Sequence, residues 1–458
     1  MSSRGRSILA GSALAGLLAL AGRAVMPASA EALDPTAAAT VSIGDGGAIW
    51  PTERGSARRD GRAPSLPATR SVRWSQRVAA RLDSAPIVAA DGAVPVIGTR
   101  SGSTGVETTL YELGPLDGHE RAATRIDDTV AAPPILLASG VRVVITQRGD
   151  AIGVDPGGSI RFRTALGGDF SSVARVGLVP LPGGGFSVAR RSDLIELGGD
   201  GAIVGRVRLE VSPAIAARAD GDTVGVAPTG ELWLWRAGRL PRSPGAFGDR
   251  AALGSGTQMC PSGPVLDGGG VGPGARRPRA ICVLAGESVV EALDLQTGAR
   301  TALLARPLLP FHTSVAVGLA GDVAVGTAGG TVTGLGPGGL EYGPIDLPGT
   351  LVFTGTSTGT GGSKDGGVLL PTTGEFPPLL ADDGAVLYGA SEGIAIARPG
   401  AATTTLTQCR GPFATTVAGV ASAGPGAVVV ACTEGRIELL GDGPPKSAKA
   451  KPAADAAP

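Results

Sequence analysis

One pattern constrains the fold of this chain more than any other feature. The stretch SAPIVAADGAVPVIGTRSG, Ser84 to Gly102, runs from an apolar strand through Asp-Gly into a second apolar strand with a Gly-rich end. Variants begin at Ala131, Ser171, Ser212, Ser262, Thr313, Phe376 and Thr415. Each opens on a small residue or Pro, followed by a few apolar residues, a Gly turn and a Val-rich strand. A second turn then leads to an alternating strand. The starts recur mostly every ~40 to ~50 residues, the period of four-stranded propeller blades. Asp91-Gly92, Asp220-Gly221 and Asp383-Gly384 supply the positive φ that tight hairpins need. An apolar first strand packs on both faces, which one blade alone cannot achieve. Stacking blades about an axis buries both faces, and closing the ring removes long open edges.

The expected fold is therefore all-β, a propeller of about eight blades over 71–443. Seven remain conceivable because FTGTSTGTGGSKDGG, Phe353 to Gly367, stretches the interval between two copies. The last copy lacks an outer strand. SVRWSQRVA, Ser71 to Ala79, is expected to supply it and close the ring. Composition agrees with many short strands: Gly accounts for 75 of 458 residues, more than double the usual ~7 %.

The first thirty residues read as a secretory signal peptide. Arg4 and Arg6 precede an apolar run from Ile8 to Ala21, and Ala28-Ser29-Ala30 resembles a cleavage site. The run is shorter than the ~20 residues that span a bilayer. The expected address is periplasmic or extracellular. Residues 31–70 read as a lead-in or linker, and RGSARRDGR, Arg54 to Arg62, as a solvated charge run before the closing strand. Residues 444–458 read as a disordered Pro/Ala/Lys tail. With 40 basic and 40 acidic residues, the chain lacks the basic footprint of a nucleic-acid binder.

The blade scheme resembles the PQQ-like (quinoprotein) β-propeller repeat. The resemblance is carried by APIVAADGAVPVIGT, PPLLADDGAVLYGASEGIAIARPG and ESVVEALDLQTGAR, and by the Trp-containing lead-in from Ile49 to Val78. It implies either a scaffold in the bacterial envelope or a quinone-dependent dehydrogenase that uses PQQ with calcium. The dehydrogenases of this group carry adjacent cysteines over the cofactor, a Trp beneath it and a calcium-ligand set. This chain has no Cys-Cys, and no carboxylate falls on a calcium motif. No cofactor is expected. The expected role is a monomeric binding or scaffold module with a protein partner, docked on one face of the ring or at its channel. A structural exoprotein without a specific ligand is a third reading.

Four cysteines fit an oxidising compartment. Cys260 and Cys409 each precede a first strand, and Cys282 and Cys432 lie on the second strand of the same blade. The start of one strand lies beside the end of its antiparallel neighbour. The expected pairs are therefore Cys260–Cys282 and Cys409–Cys432, each closing a loop worth about 3 kcal/mol in the chain-entropy model.

Other motifs fall to their context. GTSTG around Ser357 lacks the helix of a nucleophile elbow. GLGPGG, Gly334 to Gly339, reads as a blade turn rather than the opening of a dinucleotide-binding helix. His119 and His312 are too few for a zinc site. Trp233 and Trp235 share one face of a strand, with Arg236 on the other. They are candidates for an aromatic binding surface or for packing between blades.

Overall fold

A computed structural model describes residues 51–442, apart from 53, 57, 103–104, 169, 171–175, 191–192, 209–214, 220, 227–231, 236–262, 269–276, 285–288, 307–314, 328–330, 337–338, 347–377, 391–392, 399–400, 402 and 410–416. Every described element is a strand, and the strands form eight sheets. The chain is an eight-bladed β-propeller, which removes the seven-blade alternative. Each repeat copy is one blade. Blade 2 is typical: Ile135–Leu136, Arg142–Ile145, Asp150–Val154 and Ile160–Ala165 pair in antiparallel succession from the axis outwards. Blade 4 shows three strands among the described residues, ending at Leu232–Trp235.

The burial pattern explains the order. The first and second strands of blade 2 are buried throughout, while its outer strand alternates between exposed and half-buried. Apolar side chains therefore meet between blades, and the outer edge faces water. Arg161 and Arg163 on that strand, and Arg206 and Arg208 on its counterpart in blade 3, place charge on an otherwise open edge, a guard against edge-to-edge pairing. Gly92, Gly221 and Gly384 have φ of 77°, 89° and 79°, as their Asp-Gly turns require.

The ring closes as the sequence predicts. Val72–Arg77 pairs antiparallel with Arg436–Gly441 as the outer strand of blade 8, with Trp74 opposite Leu439 and Arg77 opposite Arg436. Trp74 is buried, and its indole Nε1 donates to the Pro115 carbonyl of blade 1 at 3.0 Å. One strand thus completes the last blade and grips the first. Within GLGPGG, Gly334 and Leu335 end strand Thr331–Leu335, and Gly339 N–H donates to the Gly336 carbonyl before strand Glu341–Asp346. The signal segment, the Phe353–Gly367 loop, the tail, Ser357, His312 and Arg236 lie outside the described residues.

Candidate functional site

The inner edge of a propeller poses a problem of unpaired backbone. The first strand of each blade bonds to its own second strand and turns its other edge to the axis. Buried N–H and C=O groups there need partners. In this protein the lead-in supplies them. The Pro51 carbonyl accepts from Leu136 N–H in blade 2 at 2.9 Å, and the Arg58 carbonyl from Leu266 N–H in blade 5 at 3.0 Å. The Asp60 carbonyl accepts from Val317 N–H in blade 6 at 2.8 Å, and the Gly61 carbonyl from Leu380 N–H in blade 7 at 3.0 Å. Arg62–Ala63 then adds as a parallel strand to Leu379–Ala381 of blade 7.

Side chains satisfy the acceptors of the same edge. Arg54 Nη2 donates to the Val315 carbonyl at 3.2 Å, and Arg59 Nη1 reaches the Ile215 carbonyl at 3.4 Å. Arg62 forks onto Asp382 at 2.7 and 2.9 Å. The ring grips back: Arg398 donates to the carbonyls of Leu66 and Pro67, and Gly426 N–H donates to Ser65 Oγ. Ala63 and Leu66 join the apolar cluster shared by blades 1, 7 and 8.

This corrects the expectation of a solvated charge run before the closing strand. Arg54 is 3 % exposed and Arg59 7 %. Thr52 is also buried. The segment from Pro51 to Leu66 is part of the propeller and occupies its axis. Gly61 makes the seat possible: its φ is +62°, and an added Cβ would lie 3.0 Å from the Pro378 carbonyl oxygen. Arg59 also has positive φ, at 60°, a region that non-glycine residues seldom adopt. Burial pushes the half-buried Asp60 carboxyl up, against Arg58, the Arg62 N–H and the Ser56 hydroxyl.

Leaving the axis, the lead-in is pinned by Asp442. Its carboxylate accepts from Ala68 N–H, Thr69 N–H and the Thr69 hydroxyl at 2.9–3.2 Å. Burial pushes this carboxyl up, but these donors and Arg398 outweigh it and hold it below its ordinary 3.8. A depressed folded-state value contributes stability above the unfolded value, and that contribution disappears as pH falls through the folded one. Amide exchange at Ala68 and Thr69 should therefore lose its protection selectively below the ordinary carboxylate range. In Asp442→Asn the loss should already be present at neutral pH. Equal protection in both proteins at neutral pH would contradict this pin.

A second cluster holds the closing seam. Glu438, 5 % exposed, accepts from Thr407 Oγ1 at 2.7 Å and from Ser75 Oγ at 3.3 Å. Arg436 pairs with both Glu434 and Glu438. Beside them Cys409 and Cys432 form a disulfide with a Cα–Cα distance of 5.4 Å. Cys409 directly follows Thr404–Gln408, the outer strand of blade 7, so the bond ties blade 7 to the second strand of blade 8. The grouping of Cys409, Cys432 and Glu434 could suggest a metal site, but both sulfurs are consumed in the disulfide. Cys282 is buried and disulfide-bonded, while Cys260 lies outside the described residues.

Of the aromatic pair, Trp235 packs between blades and Trp233 is partly open. Trp235 is 1 % exposed in a cluster with Val179, Ala189 and Ile215, and Trp233 is half-buried against the same cluster. His119 is exposed in a turn of blade 1.

The fold and site thus define an eight-bladed propeller whose axis is threaded by its own lead-in. No protein-family model matches the chain, and no curated protein matches it. Solved propellers do. The chain is similar to BamB from Moraxella catarrhalis, at 14 % identity over 81 % of this chain and 97 % of that one, with a TM-score of 0.49. A streptogramin B lyase matches at 11 % identity over 69 % and 95 %, with a TM-score of 0.43. BBS1N, solved in complex with ARL6DN, matches at 12 % identity over 66 % and 86 %, with a TM-score of 0.40.

Proposed function

We propose that this chain is an exported scaffold that holds polypeptide partners in the bacterial cell envelope. The observation that carries the reading is the axial seat itself. The inner edges hold a turn-rich polypeptide through main-chain hydrogen bonds and arginine side chains, and Arg62–Ala63 joins blade 7 by strand addition. A partner that uses these groups must take the place of the lead-in that now holds them. The disulfide supports an oxidising compartment, and the signal-like first thirty residues support export.

A photo-crosslinking residue at exposed Asp383, beside the lead-in, should capture discrete protein adducts in the native host. The same residue at Arg161 on the outer edge serves as the reference. Identical smears from both positions, or no adducts at all, would sink the scaffold reading. The cofactor expectation has its own check. Titration of the purified protein with PQQ plus Ca²⁺ should leave melting temperature and cofactor absorbance unchanged, because a ligand of the folded state must raise apparent stability. A saturable shift would make a quinone-dependent dehydrogenase the better reading.

A further inference from the structure

We infer that the axis is a peptide-binding site for a turn-rich, arginine-bearing segment, folded back on itself between Thr52 and Gly61, and that residues 51–66 are its resident ligand, held in cis and exchangeable. The inference rests on the scaffold reading and names the class of partner.

Three observations carry it. First, the seat uses the ligand's main chain: the carbonyls of Pro51, Arg58, Asp60 and Gly61 meet the inner-edge N–H groups of four different blades. A second segment with glycine at the positive-φ positions of Gly55 and Gly61 can follow the same path and make the same contacts. Second, the side-chain contacts select for arginine. The Arg62 fork on Asp382 is bidentate, a geometry that lysine cannot reproduce. Arg54 and Arg59 cap carbonyls of blades 6 and 4. Third, the resident segment is an imperfect ligand. Arg59 sits at φ 60°, where glycine is at ease and arginine is not. It also leaves a cleft beside Thr52 and Arg59, walled by Pro134, Ile135, Val176 and Leu178. A competitor with glycine at the position of Arg59 keeps the main-chain bonds and loses the strain, giving up the cap on the Ile215 carbonyl.

Ligand and closing strand are separable. Between them Ala68, Thr69 and Arg70 are exposed, so a cut there leaves Val72–Arg77 in blade 8.

The test uses the full chain with a site-specific protease sequence inserted between Thr69 and Arg70, cleaved after folding. A fluorescent peptide of residues 50–66 should then exchange into the ring saturably, displacing the severed segment, while the circular dichroism of the ring is retained. A peptide with Arg62→Ala should bind at least tenfold more weakly, and Asp382→Asn in the ring should weaken the native peptide similarly. A peptide with Arg62→Lys should also bind more weakly than the native one. If no peptide enters the cut ring, if the ring unfolds on cutting, or if affinity ignores Arg62 and Asp382, the segment is structural and the inference fails. Those failures leave the scaffold reading standing, because crosslinks at Asp383 report on partners whether or not the plug exchanges. Exchange without crosslinks would do the opposite: the seat would stand as an exchangeable peptide site and the scaffold reading would fall.

Discussion

Trp74→Ala is expected to lower the unfolding free energy by about 3–5 kcal/mol, the range for removing a large aromatic side chain from a packed site. Trp74 is 6 % exposed. Its indole lies over Gly118, where an added Cβ would come within 2.5 Å of the ring. Gln76 on the same strand donates to the Asp117 carbonyl at 3.1 Å. These contacts cross from the closing strand in blade 8 to the outer turn of blade 1. Losing them removes apolar burial at the one seam that chain connectivity within a blade does not secure. The denaturant midpoint should fall, and protease sensitivity should rise near Ala68–Arg70 as the closing strand frays. Trp74→Phe separates the two contributions. It keeps most of the packing and loses the bond to Pro115, so the loss should shrink to about 1 kcal/mol. Equal losses for Ala and Phe would mean that the hydrogen bond, not the packing, holds the seam.

That seam shows what the sequence made legible. The apolar first strands and Asp-Gly turns give the blades because the information is local: a turn glycine and its flanking strands lie within a few residues of each other. The closing strand is legible by counting, since the last copy is one strand short and Ser71 to Ala79 has strand character. The axial seat is a different matter. Arg54 to Arg62 reads as a solvated run because its local composition is charged. Its partners are the carbonyls and N–H groups of Ile215, Leu266, Val315, Val317 and Leu380, more than 150 residues downstream by the separation of Arg59 and Ile215. Those groups face the axis only once the ring has formed. The available signal was stoichiometric rather than local. A ring of first strands presents inner edges that need partners, and the lead-in carries Gly55, Gly61 and arginines, of which Arg54 and Arg59 reach those edges. Trp233 and Trp235 were ambiguous for a similar reason. Strand period places both on one face, but only the neighbouring blade decides whether that face is covered.

Glu112→Ala should be as damaging as the loss of Trp74, by a different route. Glu112, on strand Gly105–Leu113 of blade 1, and Arg142, which opens strand Arg142–Ile145 of blade 2, pair at 2.8 Å. Their side chains are 8 % and 3 % exposed. Burial pushes the Glu112 carboxyl up and the Arg142 guanidinium down, each against the attraction of the other. Such a pair gains little over apolar residues of the same shape, because desolvation offsets most of the attraction. Removing one partner is another matter. Alanine at 112 leaves the Arg142 guanidinium buried opposite a void. The Gly140 carbonyl still accepts from it, but its paired carboxylate is gone. The expected loss is about 3–5 kcal/mol. Replacing both residues together, as Glu112→Leu with Arg142→Met, should recover most of that loss. The coupling from the double-mutant cycle should be large because the groups are in contact. If the double variant is as unstable as Glu112→Ala, the ion pair has a net stabilising role between blades 1 and 2. If Glu112→Ala alone is near neutral, the guanidinium has found water, and the joint between these blades is more open than the packing implies.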